Sequence, residues 1–202
     1  MSKKSLQYLV FFGILIGGFY FAMIRLTDFE EVKLPVLSTV QPFKFTRQDS
    51  SQVTQKEIAG RVYVAEYFFT TCKGICPKMN KNMKEIYDRF KTDSSFMIIS
   101  HTVNPDTDSL PVLQDYADSL GANPANWWFV TGSKEELYKS ARESYLLDDP
   151  KNSTKNIDEQ FLHTQFFALV DRQGRVRGIY DGIKKEEVTE MVQDIEKLIR
   201  EQ

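Results

Sequence analysis

The sequence predicts an α/β fold, a mainly parallel sheet with helices on both faces, and three observations carry that reading. From residue 43 to the end, short β-branched and aromatic runs alternate with stretches of helical period. The runs at 61–69, 96–100 and 127–130 are apolar enough for strands buried on both faces. A later pair of runs, separated by Gln173-Gly174, reads as a hairpin that adds antiparallel strands.

The elements follow in order along the 202 residues. Ser5 to Ile24 is a run of 20 residues without a charge. As a helix it is about 30 Å long, the thickness of a bilayer core. A cleaved signal would carry a shorter apolar core and small residues at its cleavage site. The run ends instead in Phe21-Ala22-Met23-Ile24-Arg25, so residues 1–27 read as a retained transmembrane anchor. Lys3 and Lys4 precede it, which leaves the short N-terminus in the cytoplasm and the rest outside. No Arg- and Ser-rich leader is present, so the expected location is a bacterial cytoplasmic (inner) membrane, spanned once, with the domain on its outer side. Residues 28–42, with Pro35 and Pro42, read as a tether, and 43–202 as one domain.

Arg61 to Phe69 is the first central strand, set off by Gly60. Pro77 suits a first helical turn, and Met79, Met83, Ile86, Tyr87 and Phe90 continue at helical spacing. Phe96 to Ser100 is the second strand. Leu110, Leu113, Tyr116, Ala117 and Leu120 form an amphipathic helix that stops at Gly121. Trp127 to Val130 is the third strand, and Ser133 caps a helix with Glu136 in capping-box position. Residues 148–160 have almost no apolar content and read as a mobile surface loop. The strand pair around Gln173-Gly174 and a helix from about Lys184 to Ile199 close the chain. Three βα units, a hairpin and a final helix make the architecture thioredoxin-like. Chemistry in such a sheet collects beyond the carboxyl ends of the strands.

The net charge of −2 is spread over both signs, so no basic face points to nucleic acid. The only two cysteines, Cys72 and Cys76, lie just beyond the first central strand. A disulfide closing so short a loop would stabilise little, so the pair reads as chemistry. At a helix start beside Lys73, both thiols are expected to have lowered pKa values, apt for thiol exchange or for a soft ion such as Cu(I). Zinc would want a fourth ligand, and none is evident. His163, where the polar loop meets a strand, is the candidate third ligand; a lone histidine there is as readily structural. His101, at the end of the second strand, is at best a supporting group. Met79 and Met83 are spaced as copper ligands could be, but also as a core-facing stripe.

These residues bear a resemblance. Val64-Ala65-Glu66-Tyr67-Phe68-Phe69-Thr70-Thr71-Cys72 with Cys76-Pro77, Ile99-Ser100 with Asn104-Pro105-Asp106-Thr107-Asp108, Trp128-Phe129-Val130-Thr131-Gly132, and His163-Thr164 with Leu169-Val170-Asp171-Arg172-Gln173-Gly174 resemble the SCO/SenC family of copper-handling assembly proteins over about 43–200. The resemblance implies a thioredoxin-like fold and one copper, Cu(I) and also Cu(II), held by Cys72, Cys76 and His163. It implies a metallochaperone rather than an enzyme, which delivers copper to the binuclear site of cytochrome c oxidase subunit II or reduces that site's cysteines. The alternative is a thiol–disulfide oxidoreductase that uses Cys72 and Cys76 as its redox pair. Against it, thioredoxins space their cysteines by two residues and keep a cis-proline nearby, whereas no proline follows Pro150 here. This chain also departs from many members in having Lys73-Gly74 for Pro-Asp and Asn104 for Asp, which shifts charge at the site without touching a ligand.

Overall fold

The computed structural model describes residues 2–26, 33–154 and 156–201. They fall into two compact units, Met1–Leu34 and Pro35–Gln202. The first holds helix α1, Lys3–Leu26, without an acid in its first turn. Its segment Lys3–Met23 is long and apolar enough to cross a membrane.

The second unit is built on an eight-stranded sheet of the described residues, ordered β1-β8-β7-β4-β5-β6-β2-β3. The strands are β1 (Ser38–Thr39), β2 (Phe45–Arg47), β3 (Gln52–Val53), β4 (Val62–Phe68), β5 (Phe96–Thr102), β6 (Trp127–Thr131), β7 (Phe166–Val170) and β8 (Arg175–Asp181). β4, β5 and β6 are parallel, and every residue of β4 and β5 is buried, which is why those runs lack alternation. β7 runs antiparallel to both β4 and β8. The β7–β8 turn uses Gly174 at φ 74°, a conformation that favours glycine.

Helices α2 (Gln55–Ile58), α3 (Cys76–Phe90), α4 (Leu110–Ser119), α5 (Lys134–Lys139) and α6 (Lys185–Arg200) cover the sheet. α3 and α6 pack together, with α3 against β5 and α6 against β4 and β8. Tyr87 lies on Trp127 and Phe90 on Phe96. The other face buries Tyr63, Ala65, Tyr67, Ile99, Leu137, Tyr138 and Tyr145 in one cluster. Ser133 accepts from the Glu136 N–H, so the expected cap is present.

Two features lie outside the sequence reading. Part of the stretch read as a tether is woven into the sheet: β1 pairs with β8, Val40 is buried, and the Val40 N–H donates to Gly174 at 2.8 Å. Residues 27–32 lie outside the described residues. In addition, the polar loop is anchored rather than free. The buried Arg142 guanidinium, in a π-helical turn over Ser140–Ser144, holds Asp148 at 2.6 Å and donates to Gln160, so one side chain clasps both ends. Polar composition reports exposure, and a single buried partner supplied from elsewhere overrides it.

Candidate functional site

The site forms where β4 ends and α3 begins. The chain leaves β4 through Phe69 and turns at Cys72, whose N–H donates to Phe69 O at 3.2 Å. α3 starts at Cys76, with Pro77 in its first turn, where a missing N–H costs nothing. The turn is pinned by Asp108, which is wholly buried. Its carboxylate accepts from the Thr70 hydroxyl at 2.5 Å, the Thr70 N–H at 3.3 Å and the Thr102 hydroxyl at 2.5 Å. Asp108 thus joins the ends of β4 and β5 directly behind the cysteine loop.

Cys72, Cys76 and His163 line one cavity of about 330 Å³, together with Tyr67, Phe69 and Ile75. Both cysteines are free thiols; Cys72 is half-buried and Cys76 buried. His163 is exposed and is positioned by rings: Phe161 lies 4.7 Å and Phe69 6.2 Å from it, centroid to centroid. A further tether comes from the sheet's other face. The Tyr138 hydroxyl donates to Val103 O at 2.9 Å and accepts from the Leu162 N–H at 3.2 Å. It therefore fixes the residue before His163 to the end of β5. Among the described residues, no three His, Cys, Asp or Glu side chains stand together closely enough to hold an ion as they are placed.

The thiols differ. Burial resists ionisation of Cys72, but the Cys76 thiol and the N–H groups of Cys76, Gly74 and Ile75 outweigh it and lower the Cys72 pKa. Cys76 moves the other way: deeper burial, its hydrogen bond to Cys72, and the charges of Cys72 and Glu66 raise its pKa well above the ordinary value. The expectation of two depressed thiols is corrected here, because a helix start favours an anion only where that anion is not also desolvated beside another. The arrangement gives one accessible thiol that ionises more readily and one shielded thiol held in reserve.

Glu66 is the acid that sequence reasoning passed over. It is 1% exposed within β4. Ser100 donates to its Oε1 at 2.6 Å, Trp127 Nε1 donates to Ser100 at 3.0 Å, and Oε2 has no partner. An acid inside an apolar run was the available signal. His101 is not at the site. It is buried within β5, stacked on Tyr67 at 4.7 Å with Phe45 and Tyr145 around it, and its Nδ1 meets Glu66 O at 3.2 Å. Met79 and Met83 are buried on α3 and take no part in the cavity.

Comparison with known proteins gives a consistent result. The family model described as SCO1/SenC matches residues 33–200. A Bacillus subtilis protein named SCO1 protein homolog is 28% identical over 185 residues, covering 90% of this chain and 93% of its own length. The solved structure of BsSco, a member of the Sco family of cytochrome c oxidase assembly proteins with a disulfide switch, is 27% identical. It has a TM-score of 0.70 and covers 84% of this chain and 99% of its own. Arabidopsis thaliana ScoI, solved with copper bound, is 24% identical with a TM-score of 0.64 over 82% of this chain and 100% of its own, a likeness of fold.

Proposed function

Because the chain belongs to the SCO1/SenC family, we propose that it is a membrane-anchored copper chaperone that carries one copper ion as cargo on Cys72, Cys76 and His163 for the binuclear copper site of cytochrome c oxidase subunit II. The observation that carries the reading is the shared cavity: two free thiols and an exposed imidazole, from segments about 90 residues apart, face the same space. Soft sulfur donors suit Cu(I), and the imidazole adds the ligand a harder Cu(II) wants. In this reading Cys72 gives up its proton first, because its thiolate is already favoured, and Cys76 loses its own only when a cation compensates its burial. A third ligand on a separate segment lets an incoming thiolate enter before a sulfur leaves. Residues 1–27 serve as the anchor, and the copper domain, which takes in β1 and Val40 as well as 43–202, lies outside a bacterial cytoplasmic membrane with Lys3 and Lys4 inside.

The same pair supports a second reading as a thiol–disulfide oxidoreductase. The inequality of the thiols favours it: the accessible Cys72 attacks, and Cys76 resolves the mixed disulfide.

The test is Cu(I) competition against a chromophoric chelator on the reduced chain. Tight one-to-one binding is expected, abolished by Cys72→Ser or Cys76→Ser and weakened by His163→Ala, with the Cu(II) spectrum lost in the histidine variant. No binding above the chelator would leave the thiols as a redox pair. An unchanged Cu(II) spectrum in His163→Ala would remove that residue from the ligand set.

A further inference from the structure

We propose that the lysine-rich face around the start of α3 is a docking surface for an acidic protein that presents its own thiols to Cys72 and Cys76. The inference rests on the reading that these thiols meet a partner, and it names what that partner's surface carries.

Lys73, Lys78 and Lys81 are exposed, and none forms an ion pair or side-chain hydrogen bond among the described residues. Farther along the same helix the pattern reverses. Lys84 holds Asp88 at 2.6 Å and Lys91 holds it at 3.0 Å. Across the groove between α3 and α6, Lys184 holds Glu187 at 3.0 Å. Glu85, placed four residues after Lys81 to pair with it, is bound instead to Lys185. Glu186, on the α6 wall of the groove, pairs with neither Lys78 nor Lys81. The unpaired lysines of this segment therefore lie in the loop before α3 and in its first two turns, Lys73 on the thiol cavity and Lys78 and Lys81 on the groove beside α6.

Their placement works against local stability. α3 has no acid in its first turn, and cations near a helix N-terminus oppose the helix dipole. These lysines oppose the dipole without an internal partner, which leaves their charge available to a surface from outside the chain. Lys78 and Lys81 stand about 3 Å and about 7.5 Å along the axis from Cys76 but on the helix face turned to the groove with α6, so they act on an approaching partner as a field at the edge of the site rather than by contact with the thiols. Ile75, 37% exposed, and Phe161, 45% exposed, add apolar contact beside the cavity. Apolar contact at the reactive centre with charge around it is the anatomy of a transient protein interface, and rim charges of this kind speed association. An anionic membrane would also attract the lysines, and the vesicle composition in the experiment separates that source from a protein.

The experiment uses the full chain, reduced, in neutral phosphatidylcholine vesicles. The probes are a short peptide with two glutamates on each side of one cysteine, activated as its thiopyridine disulfide, and the same peptide with glutamines. A cysteine thiolate of the chain attacks the peptide sulfur, a mixed disulfide forms, and the thiopyridine leaves as the chromophore. The glutamate peptide is expected to react about tenfold faster at low salt. That preference should vanish at high salt and in Lys73→Gln/Lys78→Gln/Lys81→Gln, and shrink in Lys78→Gln/Lys81→Gln, while the glutamine peptide reacts with the Lys78→Gln/Lys81→Gln variant at the wild-type rate. Equal rates for the two peptides with the wild type would overturn the proposal, whatever the copper affinity measured on the same sample. So would slowing of the glutamine peptide when phosphatidylglycerol is added to the vesicles, if the lysine variant relieves it, for the face would then belong to lipid.

Discussion

Replacing Glu66 by Gln tests the buried carboxyl of β4 through the pH dependence of stability. Burial raises the Glu66 pKa from the ordinary 4.5 to about 7, against a smaller lowering by the Ser100 hydroxyl. Between these values the folded chain keeps a proton that the unfolded chain has lost. The stabilisation is complete below about 4.5 and is lost as pH rises through 7, a change of about 3 kcal/mol. His101 acts in the opposite sense. Burial lowers its pKa from 6.5 to about 4, so its contribution is present above 6.5 and is lost as pH falls toward 4. The two slopes cancel over most of the acid range, and the wild type conceals both. Glu66→Gln removes one, so the variant's stability should climb with pH where the wild type's is flat. Denaturant unfolding of the reduced, metal-free chain from about pH 5 to about pH 8 should show the variant-minus-wild-type difference moving by about 2.5 kcal/mol in the variant's favour. The amide's own unsatisfied hydrogen bonds add an offset that does not change with pH. A difference constant to within about 0.5 kcal/mol would refute the reasoning and place the carboxyl in contact with water.

Asp108→Ala removes the acceptor for Thr70 and Thr102 and should cost about 2–4 kcal/mol in urea unfolding, with Asp108→Asn milder because it keeps one oxygen. Asp148→Ala strands the buried Arg142 and should cost about 3–5 kcal/mol by the same measurement, whereas Arg142→Met with Asp148→Leu should recover most of it. Met79→Leu with Met83→Leu should leave copper retention in the chelator competition unchanged and cost less than about 1.5 kcal/mol per site. Loss of copper in that variant would remove the three-ligand reading.

The sequence by itself determined whatever depends on local period and local chemistry. The order of strands and helices, the antiparallel turn at Gly174 and the cap at Ser133 are each written in a few consecutive residues. The placement of both cysteines just past a central strand follows from that order, because a parallel sheet delivers its strand ends to one edge. Tertiary structure decided what depends on residues far apart in the chain. β1 and β2 are too short to show a period, and they exist through pairing with β8 and β6. The polar loop is held because Arg142 reaches both of its ends, and His163 is placed because Tyr138 reaches across from α5. The division of labour between Cys72 and Cys76 came last and is the least legible in sequence. The residue type is the same for both thiols, and the difference comes from the fold: N–H groups and the Cys76 thiol lower the Cys72 pKa, while deeper burial, the bond to Cys72 and the charges of Cys72 and Glu66 raise that of Cys76.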